Sequence, residues 1–318
     1  MKKKKNSESK AGLELLSALS GVLIAIQSRI NGELSHRLGD SLEAAMVSFS
    51  TGLIFVTIIV VSRRKNRVGF GLIFTAVKSK KLPAWQLGAG VLGASFVAMQ
   101  THVVPIAGVA LFTVASLAGQ TAISLFVDKV GLSGGKKSAI SKRRVIAALI
   151  TVIAVIVSAW DRFSMSTFSV AAIFLAVLAG TWVGVQRALN AQINVYSTQS
   201  FATSQLNFIS GTLFLFVLFF IRYLNTGQPL SKLVSAPWWV YLGGSIGVLY
   251  IAFSATAVQH MGVLVFTLFS VGGMLVGSLI IDLVAPTSGT DISWYLIAGI
   301  LLTYLGVIAN GQSRFSRR

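Results

Sequence analysis

Long apolar runs separated by short polar stretches organise this chain. A bilayer core about 30 Å thick takes roughly 20 apolar residues in a helix, and runs of that order recur. They predict helices near 12–36, 40–62, 84–103, 106–129, 144–160, 168–194, 200–221, 237–258, 262–284 and 293–311. The runs are continuous rather than alternating, so helices and not barrel strands satisfy the backbone in lipid. The expected fold class is an all-α integral membrane protein with ten transmembrane helices. The stretch 69–77 is too short to span. It lies between Arg67 and Lys78, and reads equally as a short amphipathic piece at the interface or as a partly apolar loop.

Composition agrees with the pattern. Of 318 residues, 54% are hydrophobic and 11% charged, whereas roughly a quarter are charged in soluble domains. The absence of cysteine excludes disulfides, thiolate nucleophiles and thiolate-ligated metals. A net charge of +18 would suit nucleic acid, but the basic residues cluster between apolar spans, which is a topology signal. No nucleic-acid partner is expected. With the N-terminus inside, twenty-one lysines and arginines fall in inner segments and four (Arg37, Arg162, Arg222, Lys232) in outer ones. Both termini are therefore expected in the cytoplasm. The basic start, Lys2 to Lys5 with Lys10, resembles the front of a signal peptide. It is read as a retained tail, because the first span has a repeat partner later in the chain.

That repeat adds most. Gly21, Gln27 and Asn31 of the first helix meet Gly180, Gln186 and Asn190 at a shift of 159 residues. At the same shift Phe49 meets Phe208 and Gly52 meets Gly211. At a shift of 154, Pro83, Trp85, Gly90 and Gly93 meet Pro237, Trp239, Gly244 and Gly247. Phe112, Thr113, Ser116, Gly119 and Asp128 then meet Phe266, Thr267, Ser270, Gly273 and Asp282. Each copy holds five predicted helices. Five is odd, so the second copy enters the membrane from the other side, a five-plus-five inverted-topology repeat of the kind secondary transporters use. The expected organisation is a basic tail (1–11), two five-helix repeats (12–161 and 162–312) and a second basic tail (313–318).

The Gly-x5-Gln-x3-Asn helix, followed by Ser48, Phe49 and Gly52, is similar to the YdcZ-like family of bacterial inner-membrane proteins. The ten-helix layout resembles the drug/metabolite transporter superfamily that contains it. The second copy departs from the pattern with Asn207 where Ser48 sits. What the resemblance implies is a multi-pass plasma-membrane transporter with a cavity between its halves and a small-molecule substrate. It implies no particular solute.

Polar residues inside the spans are the candidate chemistry. Gln27 and Asn31 are four residues apart and share a helix face, as do Gln186 and Asn190. In inverted halves the two pairs would face each other across the midplane. Either the four amides line a solute cavity through neutral donors and acceptors, or they hold helices together. Arg29 can reach Glu33 one turn on; Arg187 has no acid near it in sequence, and either approaches the inner interface or lines the cavity and favours an anionic or zwitterionic solute. Trp182 could shape a pocket wall beside Gln186. Glu14 is the best candidate for a protonatable coupling group, with an interfacial acid beside Lys10 as the plainer alternative. Asp128 and Asp282 read as end caps or interfacial pairs, and His102 and His260 as residues of short turns. Gly273 with Gly277, and Ala115 with Gly119, have the small-xxx-small spacing of close helix contacts. No phosphate loop, metal-spaced histidine cluster or nucleophile elbow is present, so neither an enzyme nor a cofactor or metal is expected. A homodimer is compatible with the sequence.

Overall fold

A computed structural model describes residues 2–132, 142–162, 169–230, 236–261, 263–286 and 292–315, with side chains except at 2–10, 128, 143, 144, 162, 252, 254–261, 263–268 and 309–315. Among the described residues it is all-helical. The α-helices are α1 (Lys2–Leu38), α2 (Ser41–Ser62), α3 (Arg64–Lys78), α4 (Ala89–Ala107), α5 (Val109–Val130), α6 (Lys142–Ser158), α7 (Val170–Ser197), α8 (Ser200–Thr226), α9 (Gly243–Met261), α10 (Val263–Val284) and α11 (Trp294–Phe315). Short 3-10 segments, Ala84–Gly88 and Trp238–Leu242, lead into α4 and α9.

Among the described residues, six helices are long and apolar enough to cross a membrane: Ala11–Leu38, Ser41–Ser62, Ala84–Ala107, Val109–Val127, Val170–Ser197 and Ser200–Thr226. Four shorter apolar helices, Val145–Ser158, Trp238–Ile251, Phe269–Val284 and Trp294–Ile308, fall where the other spans were expected. The eleventh helix is α3, over the stretch for which an interfacial helix and a loop were equally open. It buries Asn66, Gly69, Ile73 and Ala76 and exposes Val68, Leu72 and Phe74. Its buried side packs on α7 and α8, with Ile73 and Ala76 in one apolar cluster with Leu189, Ile193 and Leu206. Residues 227–230, which follow α8, are not helical.

The helices interleave the two parts of the chain. α1 packs on α10 as α5 packs on α7; α1 packs on α9 as α4 packs on α7; α2 packs on α9 as α4 packs on α8. α2 with α8, α5 with α10 and α6 with α11 pair with their own counterparts. Such exchanged pairs are the pattern of a two-fold contact. At the α2–α8 crossing, Phe49 and Phe208 stack with ring centroids 5.1 Å apart. Each ring lies in the gap left by the other helix's glycine, for a Cβ on Gly52 would sit 2.2 Å from Phe208 and one on Gly211 2.4 Å from Phe49.

Helices in lipid gain little from burying apolar surface, so their association rests on close packing and polar contacts. A Cβ on Gly21 would lie 1.9 Å from the Ser270 carbonyl oxygen, and one on Gly180 1.8 Å from that of Ser116. The repeated glycine at the head of the Gln-Asn motif is therefore a point of backbone contact. Gly119 meets the Val177 carbonyl and Gly273 that of Ala18 in the same way, while a Cβ on Gly277 would lie 3.3 Å from the Val22 Cα, a tight but milder approach.

Polar caps complete the frame. α4 runs through Pro105 to Ala107 and turns into α5 at Gly108, whose φ of +80° suits glycine. His102 therefore lies on the exposed face of α4 and not in a turn; proline inside a membrane helix is tolerated where neighbours re-satisfy the backbone. The buried Asp282 carboxylate at the end of α10 accepts from Val109 N (3.1 Å) and Ala110 N (2.7 Å), capping α5. The side chains of Asp128 and His260 lie outside the described residues. Trp85, Trp238 and Trp294 are exposed near the starts of helical segments, as interfacial aromatics are.

Gly180→Ala should cost about 1–3 kcal/mol, read as a lower melting temperature in detergent. Gly71→Ala, in the interior of α3 with nothing within 4 Å of the new methyl group, should keep or raise the melting temperature.

Candidate functional site

Three of the four amides on α1 and α7 enter two separate hydrogen-bonded clusters, and Gln27 lies beside the first. In the second, Gln186 Nε2 donates to Asn207 Oδ1 (2.9 Å). Asn207 Nδ2 donates in turn to Asn190 Oδ1 (2.8 Å) and to the Thr203 carbonyl (2.9 Å). Asn207 of α8 thus bridges the two α7 amides. Gly93 of α4 makes room for the Gln186 amide, since a Cβ there would lie 2.2 Å from Nε2. Leu189, Ile193 and Leu206 continue this layer toward α3.

The first cluster differs. Asn31 Nδ2 donates to Gln100 Oε1 (2.9 Å) on α4, and Gln100 Nε2 donates to Ser28 Oγ (2.7 Å). Both Asn31 and Gln100 are fully buried. Ser48 holds the α2 position that Asn207 holds on α8, and its hydroxyl is too short to bridge Gln27 to Asn31. Ser48 Oγ and Asn31 Oδ1 are buried with no hydrogen-bond partner among the described residues. Gln27, buried beside Gly247, makes no side-chain hydrogen bond there either.

One turn beyond, Leu34 of α1, Ala44 of α2 and Val240 pack into an apolar layer. Past that layer lies a charged cluster that sequence reading missed. Arg222 of α8 pairs with Asp40, the N-cap of α2, and with Glu43 Oε1 at 2.9 Å. Glu43 is buried, and the Arg222 guanidinium also lies 4.9 Å from the Phe219 ring centroid. These residues are about 180 apart in sequence, so spacing could not have linked them. The one signal was the Asp40-x2-Glu43 pair at a helix start. At the repeat positions of Asp40 and Glu43 stand Gln199 and Ala202, so this closure has no acidic counterpart.

The remaining candidates separate. Arg29 pairs with Glu33 (3.6 Å), which also holds Arg37 (2.7 Å). Arg187 is exposed and donates to the Tyr250 hydroxyl (2.9 Å) on α9. α1 packs directly on α4, whereas their counterparts α7 and α9 make no comparable packing among the described residues. The Arg187–Tyr250 hydrogen bond links those two helices. Trp182 is half-buried one turn before Gln186. Glu14 is half-buried on α1 with no hydrogen-bond partner among the described residues. Those residues contain no group of three or more acids and histidines able to hold a metal.

No curated protein matches the chain. A solved structure, titled only "Crystal structure of protein", shares 13% identity at a TM-score of 0.56, over 98% of this chain and 99% of that one, which shows a common fold. The family described as "Putative inner membrane exporter, YdcZ" matches residues 13–157 and again 171–309. The two matches carry the two Gln-Asn helices and the two amide clusters built on them, and the chain belongs to this family.

Proposed function

We propose that the protein is a secondary transporter, not an enzyme, moving a small organic solute across the bacterial inner membrane by alternating access. In this reading ten helices span the membrane as a five-plus-five inverted repeat, with α3 in the interface and both termini in the cytoplasm. The family match supports membership of an exporter family, and the twenty-one-to-four charge bias supports the orientation.

The observation that carries the mechanism is the difference between equivalent helix pairs. α1 and α4 are in contact and joined by Asn31 and Gln100, while α7 and α9 show no comparable packing among the described residues and are linked by Arg187 and Tyr250. Inverted halves that exchange a closed and an open arrangement carry a central site from one side to the other. With the termini inside, the α7–α9 pair lies toward the cytoplasm, where the apolar layer against α3 closes it. The apolar layer at Val240 and the Arg222–Asp40–Glu43 cluster close the outer side. Arg187 is the candidate to attract a negatively charged part of the solute outside the amide clusters, and Glu14 is the proton-coupling candidate.

Protein reconstituted in liposomes loaded with a metabolite mixture should release one solute class, followed by mass spectrometry. Gln27→Ala should lower that flux about tenfold with the melting temperature kept; absence of flux from the unmutated protein would end the transporter reading. The chain has no cysteine, so a single Val240→Cys reporter is clean. Arg222→Met should raise its labelling by an impermeant maleimide about tenfold, the population shift that roughly 1.4 kcal/mol produces. An unchanged rate would show that this cluster does not hold the outer side shut.

A further inference from the structure

We infer that the solute docks on the first amide cluster alone, through an uncharged hydroxyl or carboxamide group, and that the second cluster is structural. The inference rests on the transporter reading and goes on to name the subsite and the chemistry it recognises.

The two clusters share a framework and differ at one residue. On α8, Asn207 engages one end of each neighbouring amide by linking Gln186 to Asn190, and neither of them leaves a buried atom without a partner. On α2, Ser48 leaves two buried atoms idle, its own hydroxyl oxygen and one end of the Asn31 amide, beside a Gln27 amide that makes no side-chain hydrogen bond among the described residues. A buried polar group without a partner costs about 1–3 kcal/mol, so two in one place call for an occupant in another state. Reversing the Asn31 and Gln100 amides together would put Asn31 Nδ2 where Oδ1 now points, so a group is left over in either assignment.

The idle groups converge. A Cβ on Gly243 of α9 would lie 2.1 Å from Asn31 Oδ1 and 3.2 Å from Ser48 Oγ, and one on Gly247, a turn later, 3.1 Å from Gln27 Nε2. The slot between α1, α2 and α9 is thus roofed by two glycines. In the present arrangement α9 covers it, and withdrawal of α9 from α1 and α2 would uncover all three side chains together.

The chemistry of the slot selects its ligand. Two amides and a hydroxyl each offer a donor or an acceptor, and none carries charge. The nearest acid along α2, Glu43, is held by Arg222 beyond the apolar layer, and Arg29 is held by Glu33. An ion here would lose its water without gaining a counter-charge. A hydroxyl or a primary carboxamide both donates and accepts, and so matches the idle groups in either amide assignment.

The test uses purified full-length protein in detergent, with the melting temperature as readout. Nicotinamide and xylitol are the probes, and benzoate and tetramethylammonium the charged controls. At least one uncharged probe should raise the melting temperature, and neither control should. Ser48→Ala removes a hydroxyl that has no partner, so it should leave the unliganded melting temperature unchanged or higher while weakening probe affinity about tenfold. Ser48→Asn rebuilds the bridge seen in the second cluster and should abolish the probe shift. Asn207→Ser should lower the melting temperature and keep the probe shift. Loss of the shift in Asn207→Ser but not in the Ser48 variants would move the site to the second cluster. A fall in melting temperature in Ser48→Ala would show that its hydroxyl is in use, and a response to the ions alone would overturn the ligand class. Because binding is read without flux, these failures are separable from failure of the transporter reading.

Discussion

Close contact between helix backbones is the constraint on which the rest of this structure depends. In lipid, neighbouring apolar side chains offer no advantage over lipid tails, so a bundle must gain its cohesion from dispersion at short range and from polar contacts. Gly21 against the Ser270 carbonyl and Gly180 against the Ser116 carbonyl bring α1 to α10 and α7 to α5 at distances no other residue permits. Gly244 against the Ser48 carbonyl and Gly90 against the Asn207 carbonyl do the same for α9 on α2 and α4 on α8. These four contacts join residues from the first part of the chain to residues from the second. Neither part could form them alone, and the amides sit where they do because these crossings hold their helices in register.

On that shared frame, one residue difference sets the chemistry. Ser48 and Asn207 occupy matching places beside matching glycines, and the backbones around them are packed alike. An asparagine reaches both α7 amides; a serine reaches neither α1 amide. Duplication conserves the scaffold, because a changed glycine would collide with a carbonyl. It leaves the polar side chain free to diverge, because its loss exposes hydrogen-bonding groups without moving a helix.

The helical runs, the repeat and the Gln-Asn faces were all legible from spacing, since each depends on residues a few positions apart or on matching copies. The reach of Arg29 to Glu33 was legible for the same reason. Long-range partners were not. Asp282 could be read as an end cap, but not as the cap of a helix that begins 173 residues earlier in the chain. Arg222 was counted as one outer charge, and its salt bridges to Asp40 and Glu43 depend on how α2 crosses α8. His102 was misplaced because Pro105 reads as a helix end, while the surrounding bundle lets α4 continue. The division of the amides into two clusters depends on Gln100 and Asn207, whose roles only packing reveals.

The two ends of the bundle are closed by different physics, and this bears on how the protein would cycle. At the α3 end the seal is apolar: Ile73, Leu82, Leu189, Ile193 and Leu206 pack together, helped by the hydrogen bond from Gln86 to Gln192. Opening it exposes apolar surface to water and costs free energy in proportion to area. At the Asp40 end a thin apolar layer lies under Arg222, Asp40 and Glu43. Separating those charges lets each regain hydration, so part of the lost attraction is returned. The ionic end is therefore the one whose opening a modest binding energy can drive, and it lies directly above the idle groups of Asn31 and Ser48 and the Gln27 amide beside them. A solute that satisfies those groups supplies differential affinity for the arrangement that uncovers them, which is what a ligand must have to shift a conformational equilibrium.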